Sequence, residues 1–295
     1  MLLVRKKYRA HSMLRSGSQI ETNMKNVFVS DSFDKIQSSD VRFLEDASKL
    51  GLLHIFLWSD EIVSQLEGAY PRFPQEERSY FLNSIRYVNQ VTLVNEIATT
   101  DELPKIEGIQ PDIWATCEND HNPQKRQYCA TRGIDYRIIR QEYLGGFPAL
   151  PSGNGVYSTH RRVLVTGSFD WFHSGHVRFF EETSGLGDLY VIVGHDENIR
   201  LLKGEGHPLF PQDERAYMVG SICFVKQTLI SSGHGWMDAE PEIDIIKPHI
   251  YAVNQDGDKP EKREFCKEHG IEYLVLKRTP KEGLPRRESA ILRGF

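Results

Sequence analysis

Two histidines separated by a serine and a glycine, His173-Ser-Gly-His176, stand where a β-branched run gives way to a helical pattern. The run Val163-Leu-Val165 stops at Gly167, and apolar positions resume at Val177, Phe179 and Phe180 with helical spacing. A strand, a tight turn and a helix N-terminus together make a site for a polyphosphate, because free N–H groups and the positive end of the helix dipole face the anion. Imidazoles in the first helical turn add charge or donor hydrogen bonds where negative charge develops in a transition state.

Such a pair works only if a rigid frame holds it, and the sequence writes that frame twice. Strands are predicted over 27–30, 53–58, 113–116 and 136–139, with helices over 41–50, 76–87 and 125–132. Strands alternating with helices of this length imply parallel β-α-β units with right-handed crossovers. A shift of 136 residues lays 27–51 on 163–187 with 13 of 25 positions identical, including Ser32-Phe33-Asp34 on Ser168-Phe169-Asp170. A shift of 137 pairs Phe73-Pro-Gln-Glu-Glu-Arg78 with Phe210-Pro-Gln-Asp-Glu-Arg215, and Cys129 with Cys266. The expectation is an α/β protein of two tandem Rossmann-like domains, each a parallel sheet flanked by helices. Residues 1–24 form a basic tail, 25–143 a degenerate repeat, 144–159 a Gly/Pro-rich linker and 160–295 the catalytic repeat.

The copies differ where the chemistry would be. Gln37, Ser39 and Asp40 occupy the positions of His173, Gly175 and His176, and Asp31 that of Gly167. Acidic groups there repel a triphosphate, so the first repeat is expected to be a structural partner, packed face to face as an internal pseudo-dimer.

The bulk composition narrows the classes. A net charge of -5 over 295 residues supplies no global field for nucleic acid or an anionic membrane. No apolar stretch approaches the roughly 20 residues of a membrane span. The four cysteines make no CxxC pair and suit buried thiols in a reducing compartment. The first twenty residues hold Arg5, Lys6, Lys7, Arg9 and Arg15 with no acid. They read as a disordered tail of a cytoplasmic protein, an extended start upstream of Met13 or Met24, or an organellar targeting segment.

Gly167-Ser-Phe-Asp-Trp-Phe-His-Ser-Gly-His176 resembles the signature of the cytidylyltransferase-like nucleotidyltransferases. The double plan with one copy lacking the histidines is similar to that of the ethanolamine-phosphate cytidylyltransferases. The resemblance implies transfer of CMP, or AMP, from CTP or ATP to a small phosphorylated acceptor, with Mg²⁺ and release of pyrophosphate. It implies catalytic roles for His173, His176 and Lys203, the last in Arg200-Leu-Leu-Lys203. It also implies nucleotide contacts from Gly167, Ser168, Phe169, Asp170 and Gly175, the glycine allowing helix and phosphate to approach closely. His234 and Trp236 become candidates for the acceptor pocket, although a loop tryptophan capping the core is an equal reading of Trp236.

Asp170 is shared with the first copy as Asp34, which suits a turn-satisfying task as well as a nucleotide contact. Asp256, in a polar loop after a strand, stands where ligand crevices open in parallel sheets, though an Asp-Gly turn is the simpler reading. Arg215 and its counterpart Arg78 suit a buried ion pair. Arg278 and Thr279 match the start of the family's last signature, but its hydroxyl pair is reduced to Ser289 after an insertion bearing Arg286 and Arg287. Either those arginines replace the missing contacts or the repeat is a nucleotide-binding regulatory protein without turnover. A metal or scaffolding module built on the histidines ranks below both, since no ligand set at metal spacing completes it.

Overall fold

The computed structural model describes residues 24–105, 108, 110–148 and 160–292. The basic tail and most of the expected linker lie outside the described residues. The first half runs β1 (Asn26–Asp31), α1 (Ser38–Ser48), β2 (Leu52–Trp58), α2 (Asp60–Glu67), α3 (Gln75–Ser84), β3 (Gln90–Val94), β4 (Ile113–Cys117), α4 (Pro123–Arg132) and β5 (Asp135–Ile139). The second half continues with β6 (Arg162–Gly167), α5 (Ser174–Ser184), β7 (Asp188–Val193), α6 (Asp196–Lys203), α7 (Gln212–Gly220), β8 (Val225–Ile230), α8 (Glu240–Ile246), β9 (Ile250–Asn254), α9 (Pro260–Glu268), β10 (Glu272–Leu276) and α10 (Ser289–Leu292).

Each half is a five-stranded parallel sheet with the same strand order, β3-β2-β1-β4-β5 and β8-β7-β6-β9-β10. The order reverses beside β1 and beside β6, and a crevice opens there at the carboxyl ends of the strands. The repeat extends to registers: Val27 pairs with Leu53 as Val163 pairs with Leu189. Gly51 and Gly187 precede the second strands at φ 157° and 158°, where a Cβ would stand 2.1 and 2.2 Å from the carbonyls of Lys25 and Arg161. Those two glycines are fixed by backbone contact.

Both central strands are buried on both faces, which explains their continuous apolar runs. One apolar cluster continues through both halves, from Val27, Leu53 and Phe81 to Val163, Val177 and Val219. α3 ends three residues earlier than its periodicity predicts. Ile85 turns extended and makes an antiparallel bridge to Ile222 of the other half. Backbone bonds Arg86 N–H to Ser221 O (2.9 Å) and Cys223 N–H to Ser84 O (2.8 Å) complete that junction. Cys129 and Cys266 are buried as expected, while Cys117 and Cys223 are only partly so. Among the described residues no helix is long and apolar enough to cross a membrane.

Candidate active site

The turn that leads into α5 is held by scaffold residues common to both halves. Phe169 sits in the left-handed region at φ 49°, and Phe33 does the same at 47°. A non-glycine residue there costs about 1–2 kcal/mol, so something must hold the turn. Buried Arg215 does this: it donates from Nη1 to the carbonyl of Ser168 (2.5 Å), from Nε to Phe210 O (2.9 Å) and from Nη2 to Asp196 (2.6 Å). Arg78 repeats the set in the first half, to Ser32 O, Phe73 O and Asp60. Asp170 Oδ1 accepts from the N–H groups of Leu209 (2.6 Å) and Phe210 (3.2 Å), and its Oδ2 bonds His207 Nδ1 (3.1 Å). Both of its oxygens therefore serve the 207–210 segment, and Asp34 likewise accepts from Phe73 N–H at 2.9 Å.

The histidines form the N-terminal cap of α5. His173 is the N-cap residue, and its Nδ1 accepts from Gly175 N–H at 3.1 Å. His176 Nδ1 accepts from His173 N–H at 3.4 Å, closing a reciprocal capping box. In the first half Gln37 and Asp40 make the same box, with Asp40 accepting from Gln37 N–H at 2.7 Å. Capping thus survives the exchange, whereas the imidazole Nε2 groups do not.

The two imidazoles stack with centroids 4.0 Å apart, and His176 is bracketed by Phe169 and Phe172. Burial, together with Arg278 and Arg287, lowers the His173 pKa to about 3. Burial, then His173, then Arg278 and Lys203 push His176 well below the usual imidazole range. Both are therefore neutral near pH 7. Because Nδ1 accepts in each ring, the proton resides on Nε2. His173 Nε2 lies 3.3 Å from Ser289 Oγ, which in turn donates to Trp171 O at 3.3 Å. The expectation of charge or donor bonds resolves, in the free protein, into two neutral donors.

A Cβ on Gly175 would meet the His173 ring at 2.8 Å and the carbonyl of Arg287 at 3.4 Å. The immediate neighbour that needs the space is the capping histidine. A Cβ on Gly167 would likewise meet the Phe169 ring at 2.9 Å. At the corresponding place Asp31 keeps a carboxyl whose pKa is raised to about 6, chiefly by burial.

Around the histidines the structure gathers four further predicted residues. Lys203, last in α6, donates to Ser168 Oγ at 2.7 Å. Arg278 pairs with Asp256 at 2.8 Å, and Ser289 closes against His173. His234 and Trp236 stand on a separate loop. There Asn198 holds Gly235 through its N–H (2.7 Å) and carbonyl (3.0 Å), His234 stacks edge-on to His195 at 5.5 Å, and Lys259 lies 4.5 Å over the exposed Trp236. Trp236 is a surface residue and does not cap the core.

Three groups escaped the sequence reading. Glu77 of the first half bonds Ser174 and Arg287; its signal was the Glu-Arg pair shared by both repeats, of which only the arginine drew notice. Lys262, partnerless by sequence, is buried against Thr166 Oγ1 at 3.2 Å, and burial lowers its pKa. Ser231 links His195 N–H (3.0 Å) to Asp238 (2.6 Å), a contact between loops far apart in sequence.

The cytidylyltransferase-like family model matches residues 164–292. The FAD synthase of Archaeoglobus profundus is 34% identical over 124 residues, covering 41% of this chain and 76% of that protein. The FAD synthase of Thermococcus onnurineus is 36% identical over 119 residues, covering 39% and 77%. A solved lipopolysaccharide core biosynthesis protein from Thermoplasma volcanium covers 41% of this chain and 98% of its own at 23% identity, with a TM-score of 0.35. The chain belongs to the cytidylyltransferase-like family and is a nucleotidyltransferase.

Proposed function

We propose that residues 160–295 transfer a nucleotidyl group, CMP or AMP, from a nucleoside triphosphate to a small phosphorylated acceptor, and that 25–143 is the degenerate partner of an internal pseudo-dimer. The observation that carries this reading is the stacked pair of histidines at the N-terminus of α5, kept neutral first by burial and then by the nearby Arg278, with Arg287 beside His173 and Lys203 beside His176. A tetraanionic triphosphate seated there meets helix N–H groups, fixed cations and two Nε2 donors.

An acceptor phosphate oxygen attacks the α-phosphorus in line. The new O–Pα bond forms as the Pα–O–Pβ bond breaks, and pyrophosphate carries away the electron pair. The protein needs no covalent intermediate; it positions the groups and stabilises charge. His173 and His176 donate to oxygens on which charge accumulates, and Lys203 spans acceptor and nucleotide as a mobile point charge. Ser168, Phe169 and Gly167 line the nucleotide, Ser289 orients His173, and His234 and Trp236 face the acceptor.

Among the described residues no cluster of three His, Cys, Asp or Glu side chains forms a metal cage. In this reading Mg²⁺ would be carried by the nucleotide's own phosphates, with the exposed Asp256 beside Arg278 as a candidate supplementary carboxylate. Bound there, the ion would neutralise phosphate charge. The FAD synthase relatives bring adenylyl transfer from ATP to FMN into consideration beside CMP transfer to phosphorylated alcohols and sugars.

Pyrophosphate release from CTP and ATP, over an acceptor panel that includes FMN, tests the reading. Activity on one acceptor that is abolished by His173→Ala with His176→Ala supports it. Turnover that survives both alanines overturns the mechanism. Tight nucleotide binding with no turnover on any acceptor would instead mark a regulatory protein.

A further inference from the structure

The half that lacks the paired histidines of the helix cap reaches into the nucleotide side of the half that has them. Glu77, on α3 and 3% exposed, accepts from Ser174 Oγ at 2.6 Å, at the first residue of α5. It also accepts from Arg287 through both oxygens, from Nε at 3.1 and 3.1 Å and from Nη2 at 2.7 Å. Phe73, from the same first half, lies under the guanidinium at 5.1 Å. The carbonyl of Arg287 is 3.4 Å from the Cβ position of Gly175, so this arginine stands beside the first turn of α5.

The symmetric carboxylate behaves differently. Glu214 accepts from Ser38 Oγ at 2.6 Å, which mirrors the Glu77–Ser174 bond, and among the described residues no arginine pairs with it. The serine contact is therefore the shared interface device. The arginine contact exists on one side only, and it involves the insertion that distinguishes the last motif of the second half.

We propose that Glu77 is a positioning residue for the nucleotide site: across the interface it aims Arg287 at the polyphosphate position in front of α5. This rests on the proposed nucleotide site of residues 160–295. A planar guanidinium clamped through Nε and Nη2 keeps its Nη1 edge for an anion and loses little further freedom when one arrives. The repeat that lost its own site thereby completes its neighbour's.

Two effects of Glu77 on triphosphate binding oppose each other. Its carboxylate cancels part of the Arg287 charge, so a purely electrostatic role makes Glu77→Gln bind nucleotide more tightly. A positioning role makes it bind more weakly, by roughly tenfold or more, since small misplacements of a clamping group cost up to ~100-fold.

Calorimetric titration of the full chain with CTP and with ATP decides between them without knowledge of the acceptor. The expected result is weaker binding in Glu77→Gln, no further loss when Glu77→Gln is added to Arg287→Ala, and little change in Glu214→Gln. Equal or tighter binding by Glu77→Gln overturns the proposal and leaves the nucleotide site standing. Equal losses in Glu77→Gln and Glu214→Gln also overturn it, because they reduce Glu77 to an interface residue. Thermal unfolding of each variant separates a misfolded chain from a misaimed arginine. A wild-type chain that binds neither nucleotide removes the underlying site and this proposal together.

Discussion

The hydroxyl of Tyr80 donates to Glu181 across the interface between the halves at 2.8 Å, and Tyr217 donates to Glu45 at the same distance in the opposite direction. With Ser38–Glu214 and Ser174–Glu77, these bonds form an isologous set: each contact recurs with the halves exchanged. Two copies of one fold thus meet through the same surface patch, although only the second carries the histidine pair.

Tyr80→Phe and Tyr217→Phe should each lower stability by about 1.5–3 kcal/mol, the usual worth of a hydrogen bond to a charged group. Denaturant unfolding followed by two probes, one in each half, checks this. Both transitions should shift together, since one apolar cluster runs through both halves. A shift confined to one half would count against a shared interface.

Asp31→Asn should stabilise the protein at alkaline pH. The folded pKa is raised to about 6, so the folded chain holds a proton that the unfolded chain has released above about 4. The carboxyl therefore costs stability as pH rises through 4 to 6. The asparagine keeps an acceptor for Ser32 N–H, bonded now at 2.6 Å, without the buried charge. A gain of about 1–3 kcal/mol at pH 8 that vanishes at pH 3.5 is the expected outcome of chemical denaturation at the two values.

His173 shifts the other way. With its folded pKa near 3 and an ordinary value of 6.5, the unfolded chain binds the proton first. Its contribution is complete above pH 6.5 and is lost as pH falls toward 3, by ~1.4 kcal/mol per unit. Stability of His173→Gln, which carries the first repeat's own residue, should fall less steeply over that window. Identical slopes for the two proteins would refute the neutral, buried imidazole.

Gly175→Ala brings a methyl within 2.8 Å of the His173 ring. The ring is held by Gly175 N–H on one side and Ser289 on the other, so it must rotate off its bonds. The expected cost is about 1–3 kcal/mol of stability, with a larger loss of nucleotide affinity. Ser39→Ala at the matching place in the first half, where a Cβ already exists, is the control and should be nearly silent in both measurements.

Periodicity and repetition made the fold legible. Continuous apolar runs had to become doubly covered strands, and the shifts of 136 and 137 residues required two copies of one topology. The start of α5 at the histidines was legible too, because a helix start is a local matter of a few residues, but their reciprocal capping bonds were not. The sequence also marked Gly167, His173, Gly175 and His176 by their absence from the first copy. What it could not determine was which groups meet across the chain. Whether Asp170 faced a ligand or the 207–210 backbone, and whether the histidines were charged, depended on burial and neighbouring guanidiniums that only the folded packing supplies. Glu77 and Arg287 are 210 residues apart, and no local pattern links them. Their meeting required the second copy to fold against the first, because a carboxylate is drawn out of water only where a partner already waits.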